Sequence, residues 1–168
     1  IGHLGHVLEA MLDMQTDPTA VTAQFGCHVV QCEADQMMPI YRSIDPAGEE
    51  VAAMKKRILD FFDTPDPVSD PLTCKLTDAD LETAAVVAVT LEKYIAAKSL
   101  DGLAYYYEGE PGSPVRKLVT NFIVGNSLLT SAGFPMCGEF DIKTCLAMLI
   151  MDRLEIGGSF AEFHPVDF

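Results

Sequence analysis

The chain has 168 residues, of which 49% are hydrophobic and 21% are charged, a balance typical of a globular domain rather than a disordered chain. Its formal net charge of −14 leaves no basic patch, which argues against nucleic acid and against an anionic membrane as partners. The five cysteines form no CxxC pair, so we expect free thiols in a cytoplasmic protein. No apolar stretch has the length and continuity that predict a transmembrane helix.

Short apolar runs alternate with longer helical patterns, which predicts an α/β fold: a three-layer domain whose mainly parallel sheet is flanked by helices. The clearest boundary signals are Asp17 followed by Pro18 at the start of the first helix, and Gly26 after its end. In chain order, the predicted elements are strand 1–5, helix 18–25, strand 27–32, helix 46–62, loop 63–72, helix 78–98, strand 103–107, helix 114–131, strand 135–137, helix 141–155 and strand 159–163.

Polar side chains occur at the carboxyl ends of several predicted strands, where ligands bind in open α/β sheets. His6 follows the first strand, and Tyr107 ends the third, so both are candidates for contacting a substrate. Glu139 follows the fourth strand, and Glu162 lies in the fifth. His3, inside the first strand, is expected to be a hydrogen-bonded core or edge histidine.

The two glutamates form the most informative pair. Strand 135–137, its helix and strand 159–163 make a short βαβ crossover, whose strands run parallel. Glu139 and Glu162 are therefore expected at one edge of the sheet, close enough to share a hard divalent cation such as Mg²⁺ or Mn²⁺. Taken alone, Glu139 or Asp141 is explained more simply as a complement to a helix N-terminus.

Paired carboxylates beside a metal suit proton transfer next to a carbonyl. One carboxylate takes the proton, while the metal holds two substrate oxygens and stabilises the enediolate. The same pair equally suits metal-assisted hydrolysis, and the residue types leave both reactions open. A non-catalytic sugar- or partner-binding α/β module is a further alternative, because the fold does not determine the function.

Two segments resemble motifs of the L-arabinose isomerase and L-fucose isomerase-like family. The stretch CGEFDIKT at 137–144 resembles that family's AGEGDxKT, and GGSFAE at 157–162 is similar to its GGTSFxE. The resemblance implies that Glu139 and Glu162 are metal ligands and the acid/base pair of an aldose–ketose isomerase that uses Mn²⁺ or another divalent cation. Asp141 and Lys143 are expected to be structural support. Phe140 departs from the pattern, because glycine is usual there.

The resemblance extends more weakly over the rest of the chain. It implies a middle α/β domain at residues 1–156 and the beginning of a C-terminal domain at 157–168. The family's two metal-binding histidines are expected beyond residue 168, so the isolated chain is expected to be inactive. The resemblance also implies a small-molecule sugar as substrate, of the L-arabinose or L-fucose type, and a homo-oligomer, trimeric or hexameric.

Overall fold

The computed structural model describes residues 1–161 except 65, 67 and 72, and these residues form two compact units. The first unit comprises Ile1–Cys32, Leu100–Tyr106 and the described residues from Thr130 onwards, and the second comprises Glu33–Ser99 and Tyr107–Leu129. Every strand among the described residues lies in the first unit, which also contains Glu139. The predicted domain boundary after residue 156 stays a prediction.

The helices of the described residues are α1 (Pro18–Phe25), α2 (Met38–Ser43), α3 (Glu49–Phe61), α4 (Asp78–Lys98), α5 (Pro114–Thr120), α6 (Phe122–Ser131) and α7 (Ile142–Arg153). The helix predictions are confirmed for α1, α3, α4 and α7, whereas α2 was not anticipated. None of the helices in the described part of the chain has both the length and the apolar character that crossing a membrane requires.

The single helix predicted over 114–131 is wrong, because α5 and α6 are separate helices. The break falls at Asn121, where the backbone leaves the helical region with φ −97° and ψ 13°. The side-chain amide of Asn121 donates to the carbonyl oxygen of Lys117 over 2.7 Å. Asparagine side chains compete in this way for backbone groups, which favours a helix end over a helix interior.

The sheet contains β1 (Gly2–Gly5), β2 (Val30–Cys32), β3 (Leu103–Tyr106) and β4 (Met136–Cys137), in the order β2-β1-β3-β4. All three pairings are parallel; His3 lies opposite Ala104, and Ala104 lies opposite Cys137. The predicted α/β class with a parallel sheet is therefore confirmed. Because the strands run in one direction, the residues that follow β1, β3 and β4 share one edge, which we call the carboxyl edge.

Helices α1 and α7 belong to the same unit as the sheet and share its apolar core. At the start of α1, the Asp17 carboxylate accepts a hydrogen bond from the N–H of Thr19 over 2.8 Å, and the helix ends at Gly26 with φ 67°. The buried cluster combines residues of both helices and of the strands: Ile1, Val21, Ala104, Cys137, Ile142, Cys145, Leu146 and Met148. Apolar packing therefore anchors β4 and α7, the two elements that flank Glu139.

The second unit is organised around the packing of α3 against α4. The N-terminus of α4 is closed by a capping box, in which Thr77 N–H donates to the Asp80 carboxylate over 2.8 Å and Asp80 N–H donates to the Thr77 hydroxyl over 3.3 Å. Ion pairs connect the two helices at Lys55–Glu82, Arg57–Glu92 and Lys93–Glu50. Exposed pairs of this kind contribute at most about 1 kcal/mol each, so apolar packing dominates this unit.

The predicted fifth strand is wrong for residues 159–161, which form no strand, and residues 162 and 163 lie outside the described part of the chain. Phe160 packs its side chain into the core of the first unit instead of pairing its backbone with a strand. Its ring lies against Gly138, where an added Cβ would be 3.2 Å from the Phe160 Cε1 atom.

Candidate functional site at the carboxyl edge

Glu139 lies in a tight turn between β4 and α7. The turn runs from Gly138 to Asp141, and the Asp141 N–H donates to the Gly138 carbonyl oxygen over 3.1 Å. Its two central residues, Glu139 and Phe140, have φ values of 54° and 62°. Positive φ at both central positions is characteristic of a type I′ turn, where asparagine, aspartate or glycine normally occurs.

The backbone of Glu139 and Phe140 is strained. For an L-residue with a Cβ atom, the left-handed conformation costs roughly 1–2 kcal/mol per residue. Such strain persists only where the surrounding structure over-determines the conformation, and it concentrates at functional sites. The turn is therefore a candidate site on its backbone geometry, without reference to any sequence motif.

Three contacts hold Phe140 against the sheet. Its N–H donates to the carbonyl oxygen of Tyr105 in β3 over 3.2 Å. Its carbonyl oxygen is 3.2 Å from Nε2 of His3 in β1, and because a carbonyl only accepts, that nitrogen is the donor. The rings of His3 and Phe140 also stack, with centroids 3.3 Å apart and planes inclined by 16°. The turn therefore reaches across β3 to β1.

His3 is buried, with 2% of its surface exposed, which confirms the prediction of a hydrogen-bonded core histidine. Burial lowers the pKa of the imidazole, and the hydrogen bond to the Phe140 carbonyl offsets part of that effect. The ring is therefore neutral near pH 7, with its proton on Nε2. The other nitrogen, Nδ1, accepts no hydrogen bond from any residue that the structure describes.

Asp141 and Lys143 have the structural roles expected of them. The buried Asp141 carboxylate caps α7 by accepting hydrogen bonds from the N–H groups of Lys143 and Thr144, over 3.0 and 3.1 Å. The Lys143 ammonium donates to the carbonyl oxygen of Asp13 over 2.7 Å. The capping function at this helix thus belongs to Asp141, whereas Glu139 is half-buried at the centre of the turn.

The other predicted site residues have different positions. His6 is exposed at the carboxyl edge, where its N–H donates to the Tyr106 carbonyl oxygen over 3.1 Å and its ring meets the Tyr106 ring edge-on at 5.4 Å. It therefore shares this edge with Glu139. Tyr107 is a half-buried residue of the second unit, and its ring lies against Gly109. Glu162 lies outside the described residues, so its pairing with Glu139 stays a prediction.

The donors at this edge fit a divalent cation only in part. Within residues 1–161, so far as the structure describes them, no three His, Cys, Asp or Glu side chains are grouped as a metal site. Glu139, a half-buried carboxylate, fits the role of one ligand, while Asp141 is engaged by α7. The nearby Cys137 thiol is a poor ligand, because its neighbour Cys145 and burial raise its pKa. The sequence-based expectation assigns a second carboxylate ligand to Glu162, which lies outside the described residues.

The contact between His3 and Phe140 was missed from the sequence. Neither Glu139 nor Phe140 is a residue type that indicates a left-handed turn, so no local signal marked it. The one available signal was indirect: the isomerase motif that this stretch resembles has glycine where this chain has Phe140, and glycine adopts positive φ without strain.

No protein-family model matches the sequence, and no curated protein matches it either.

Proposed function

We propose that the chain is part of a sugar isomerase in which Glu139 is a metal ligand and a proton-transfer group. The observation that carries the proposal is the strained turn beyond β4, which holds a half-buried glutamate at the carboxyl edge of a parallel sheet. This edge is where open α/β sheets bind their ligands. Strained backbone conformations cluster at active sites and ligand clamps.

The anchoring of the turn supports a role in catalysis. Proton transfer requires the base within hydrogen-bonding distance of the carbon-bound proton, and small displacements of a catalytic group are costly. Phe140 is bound to β3 and β1 through Tyr105 and His3, so the residue next to Glu139 has a fixed position. His6 and Tyr106 at the same edge add polar and aromatic groups of the kind that line small-molecule sites.

In this proposal, Glu139 and Glu162 hold Mn²⁺ or another divalent cation. When bound, the cation polarises the two substrate oxygens. Glu139 would remove the proton from the carbon that bears the hydroxyl and return it to the neighbouring carbonyl carbon. Glu162, the other member of the acid/base pair, would pass the proton of that hydroxyl to the carbonyl oxygen, and the two transfers together convert the aldose to the ketose.

The finer assignments rest on the two motifs. They favour a sugar of the L-arabinose or L-fucose type as substrate, a homo-oligomer, and further metal ligands outside residues 1–168. The five cysteines without a CxxC pair favour a cytoplasmic enzyme. In this proposal, the isolated chain does not turn over sugars, and the longer protein does. A non-catalytic sugar-binding module is the competing function.

The proposal is tested with Glu139→Gln in the longer protein, assayed with Mn²⁺ over a panel of aldoses. Glu155→Gln is the matched control, because Glu155 is also a non-glycine residue with positive φ, 60°, but follows α7. We expect Glu139→Gln to lower kcat by about 10²- to 10⁴-fold, the usual contribution of an acid/base group, and Glu155→Gln to leave it unchanged. Solvent deuterium should enter the product at the carbon that receives the proton.

Two results would contradict the isomerase assignment. Turnover that survives Glu139→Gln would remove Glu139 from the chemistry. A wild-type protein that binds a sugar without turnover or deuterium incorporation, and keeps that affinity in the Glu139→Gln variant, would identify a binding module instead.

A further inference from the structure

The residue types of the turn that carries Glu139 do not favour its left-handed conformation. Its central residues, Glu139 and Phe140, are types that avoid positive φ, and the backbone hydrogen bonds at the turn join Asp141 to Gly138 and Ile142 to Phe140, each over 3.1 Å. A conformation of this kind requires contacts from outside the turn. The neighbours of Phe140 are therefore candidates for residues that determine where Glu139 points.

The contacts of Phe140 fix the peptide planes on both of its sides. On the N-terminal side, the hydrogen bond from Phe140 N–H to Tyr105 orients the peptide between residues 139 and 140. On the C-terminal side, the Phe140 carbonyl oxygen accepts hydrogen bonds from Nε2–H of His3 over 3.2 Å and from the N–H of Ile142 over 3.1 Å, and the two together orient the following peptide. With both planes fixed, the backbone angles of Phe140 are fixed as well. Glu139 shares the first of these planes, so its Cα is positioned with them.

His3 is suited to this role because it cannot easily move. It lies in β1, which pairs with β2 on one side and with β3 on the other, and its ring packs flat against Phe140. Phe140 is itself buried, with 7% of its surface exposed. A rigid strand therefore presents one N–H donor and one aromatic face to a single residue of the turn.

Packing alone does not account for a histidine at this position. The Nδ1 atom of His3 is buried without a hydrogen-bond partner among the described residues, which is unfavourable. A phenylalanine would fill similar space and stack on Phe140 without this cost. What only the histidine provides is the donor on Nε2, and that donor is used on the carbonyl oxygen of Phe140.

We propose that His3 is a positioning residue for Glu139: it holds the turn in its left-handed conformation through the carbonyl group and the ring of Phe140. The geometric part of this inference concerns the turn alone. Its consequence for turnover rests on the proposed function, so the two parts are measured separately.

The geometric test uses His3→Phe, which keeps an aromatic ring and removes the donor. Backbone chemical shifts and amide relaxation of residues 139 and 140 are measured by NMR in the chain. We expect both residues to lose their left-handed shifts and to become more mobile. Leu4→Val is the matched control: Leu4 is the next residue of β1, is fully buried, and has its side chain on the opposite face of the sheet.

A rescue variant separates positioning from general destabilisation. Glycine adopts positive φ without strain, so His3→Phe combined with Phe140→Gly should restore a left-handed turn that no longer needs the donor. In the longer protein, His3→Phe should lower kcat by about 10- to 100-fold with little change in KM, the effect of losing a group that orients a ligand. The double variant should recover part of that loss.

The outcomes distinguish this inference from the proposed function. Unchanged shifts at residues 139 and 140 in His3→Phe, or equal changes in Leu4→Val, would overturn the positioning role and leave the isomerase proposal intact. A disturbed turn in a protein whose Glu139→Gln variant turns over normally would support the geometric inference and reject the proposed function.

Discussion

The imidazole of His3 stacks on the ring of Phe140, although His3 lies in β1 and Phe140 follows β4, with β3 between the two strands. The contact connects the centre of the sheet to the turn that carries Glu139. It also keeps His3 away from water, and burial is the largest cause of its lowered pKa. The charge state of one buried histidine is therefore coupled to the stability of the fold.

This coupling predicts a loss of stability at mildly acidic pH. The pKa of His3 lies below 6.5 in the folded chain and returns to about 6.5 in the unfolded chain. Between these two values, the unfolded state binds more protons, so the free energy of unfolding falls as the pH decreases. Above pH 6.5 the full stability is present. Urea unfolding from pH 7.5 down to pH 5 measures this dependence.

The control for this prediction is His3→Phe, which has no titrating group at the position. As the pH falls, the unfolding free energy of the wild type should decrease relative to that of His3→Phe. Parallel curves over the whole range would show that the folded and unfolded chains protonate His3 alike.

At residue 139, the glycine variant should be more stable than the alanine variant, which is the reverse of the usual order of stability. At φ 54° a Cβ atom is unfavourable, and glycine has none. We expect Glu139→Gly to be more stable than Glu139→Ala by about 1 kcal/mol, as measured by urea unfolding. Equal stability of the two variants would show that the backbone at residue 139 is not left-handed in solution.

Phe140 affects stability in two opposing ways: its buried ring stabilises the fold, and its positive φ destabilises it. The relative size of the two effects decides how stable its variants are. Removing its buried ring should cost about 3–5 kcal/mol in Phe140→Ala. Phe140→Gly loses the same ring, but it also relieves the strain at φ 62°, so it should be about 1 kcal/mol more stable than Phe140→Ala. Burial therefore outweighs strain, and both variants should be less stable than the wild type. Thermal or urea unfolding of the three proteins gives the order directly.

The cap of α7 should tolerate asparagine but not alanine. Asp141 accepts two backbone N–H groups at the start of the helix, and an asparagine oxygen can accept them equally. We expect Asp141→Ala to lower the unfolding free energy by about 1 kcal/mol and Asp141→Asn to lower it by less. If both variants lose the same amount of unfolding free energy, two features that asparagine lacks matter more than the backbone hydrogen bonds: the negative charge near the helix N-terminus, and the second carboxylate oxygen, which accepts a hydrogen bond from the Thr144 hydroxyl.

The features that were predictable from the sequence depend on local signals. Asp17, Pro18 and Gly26 determine both ends of α1 through contacts within a few residues, and the structure confirms them. The turn of Glu139 is different, because His3 and Phe140 are 137 positions apart. Its conformation follows from packing in three dimensions, which no local pattern reveals. The same holds for Phe160, whose apolar neighbours indicated a strand but whose ring packs against Gly138 instead.

At Glu155, the cost of backbone strain can be measured at a position that has no proposed role in catalysis. It occupies the first position after the C-cap of α7, with φ 60°, and its N–H donates to Asp152 over 2.9 Å while Ile156 N–H donates to Met151 over 3.0 Å. These two bonds define a Schellman motif, in which glycine is the preferred residue at this position. Glu155→Gly should therefore stabilise the chain by about 1 kcal/mol, because it removes the cost of a Cβ at positive φ.

Glu155→Ala is the matched control, and it should give no such gain, because alanine retains the Cβ. Both variants are measured by urea unfolding, and both should leave the NMR shifts of residues 139 and 140 unchanged. Comparing Glu155→Gly with Glu139→Gly then shows what is particular to the turn. If backbone strain is the sole difference from glycine, both substitutions raise the unfolding free energy alike. Under the proposed function, only the substitution at residue 139 also abolishes turnover. A gain at residue 155 without one at 139 would mean that the Glu139 side chain has stabilising contacts that offset its backbone strain.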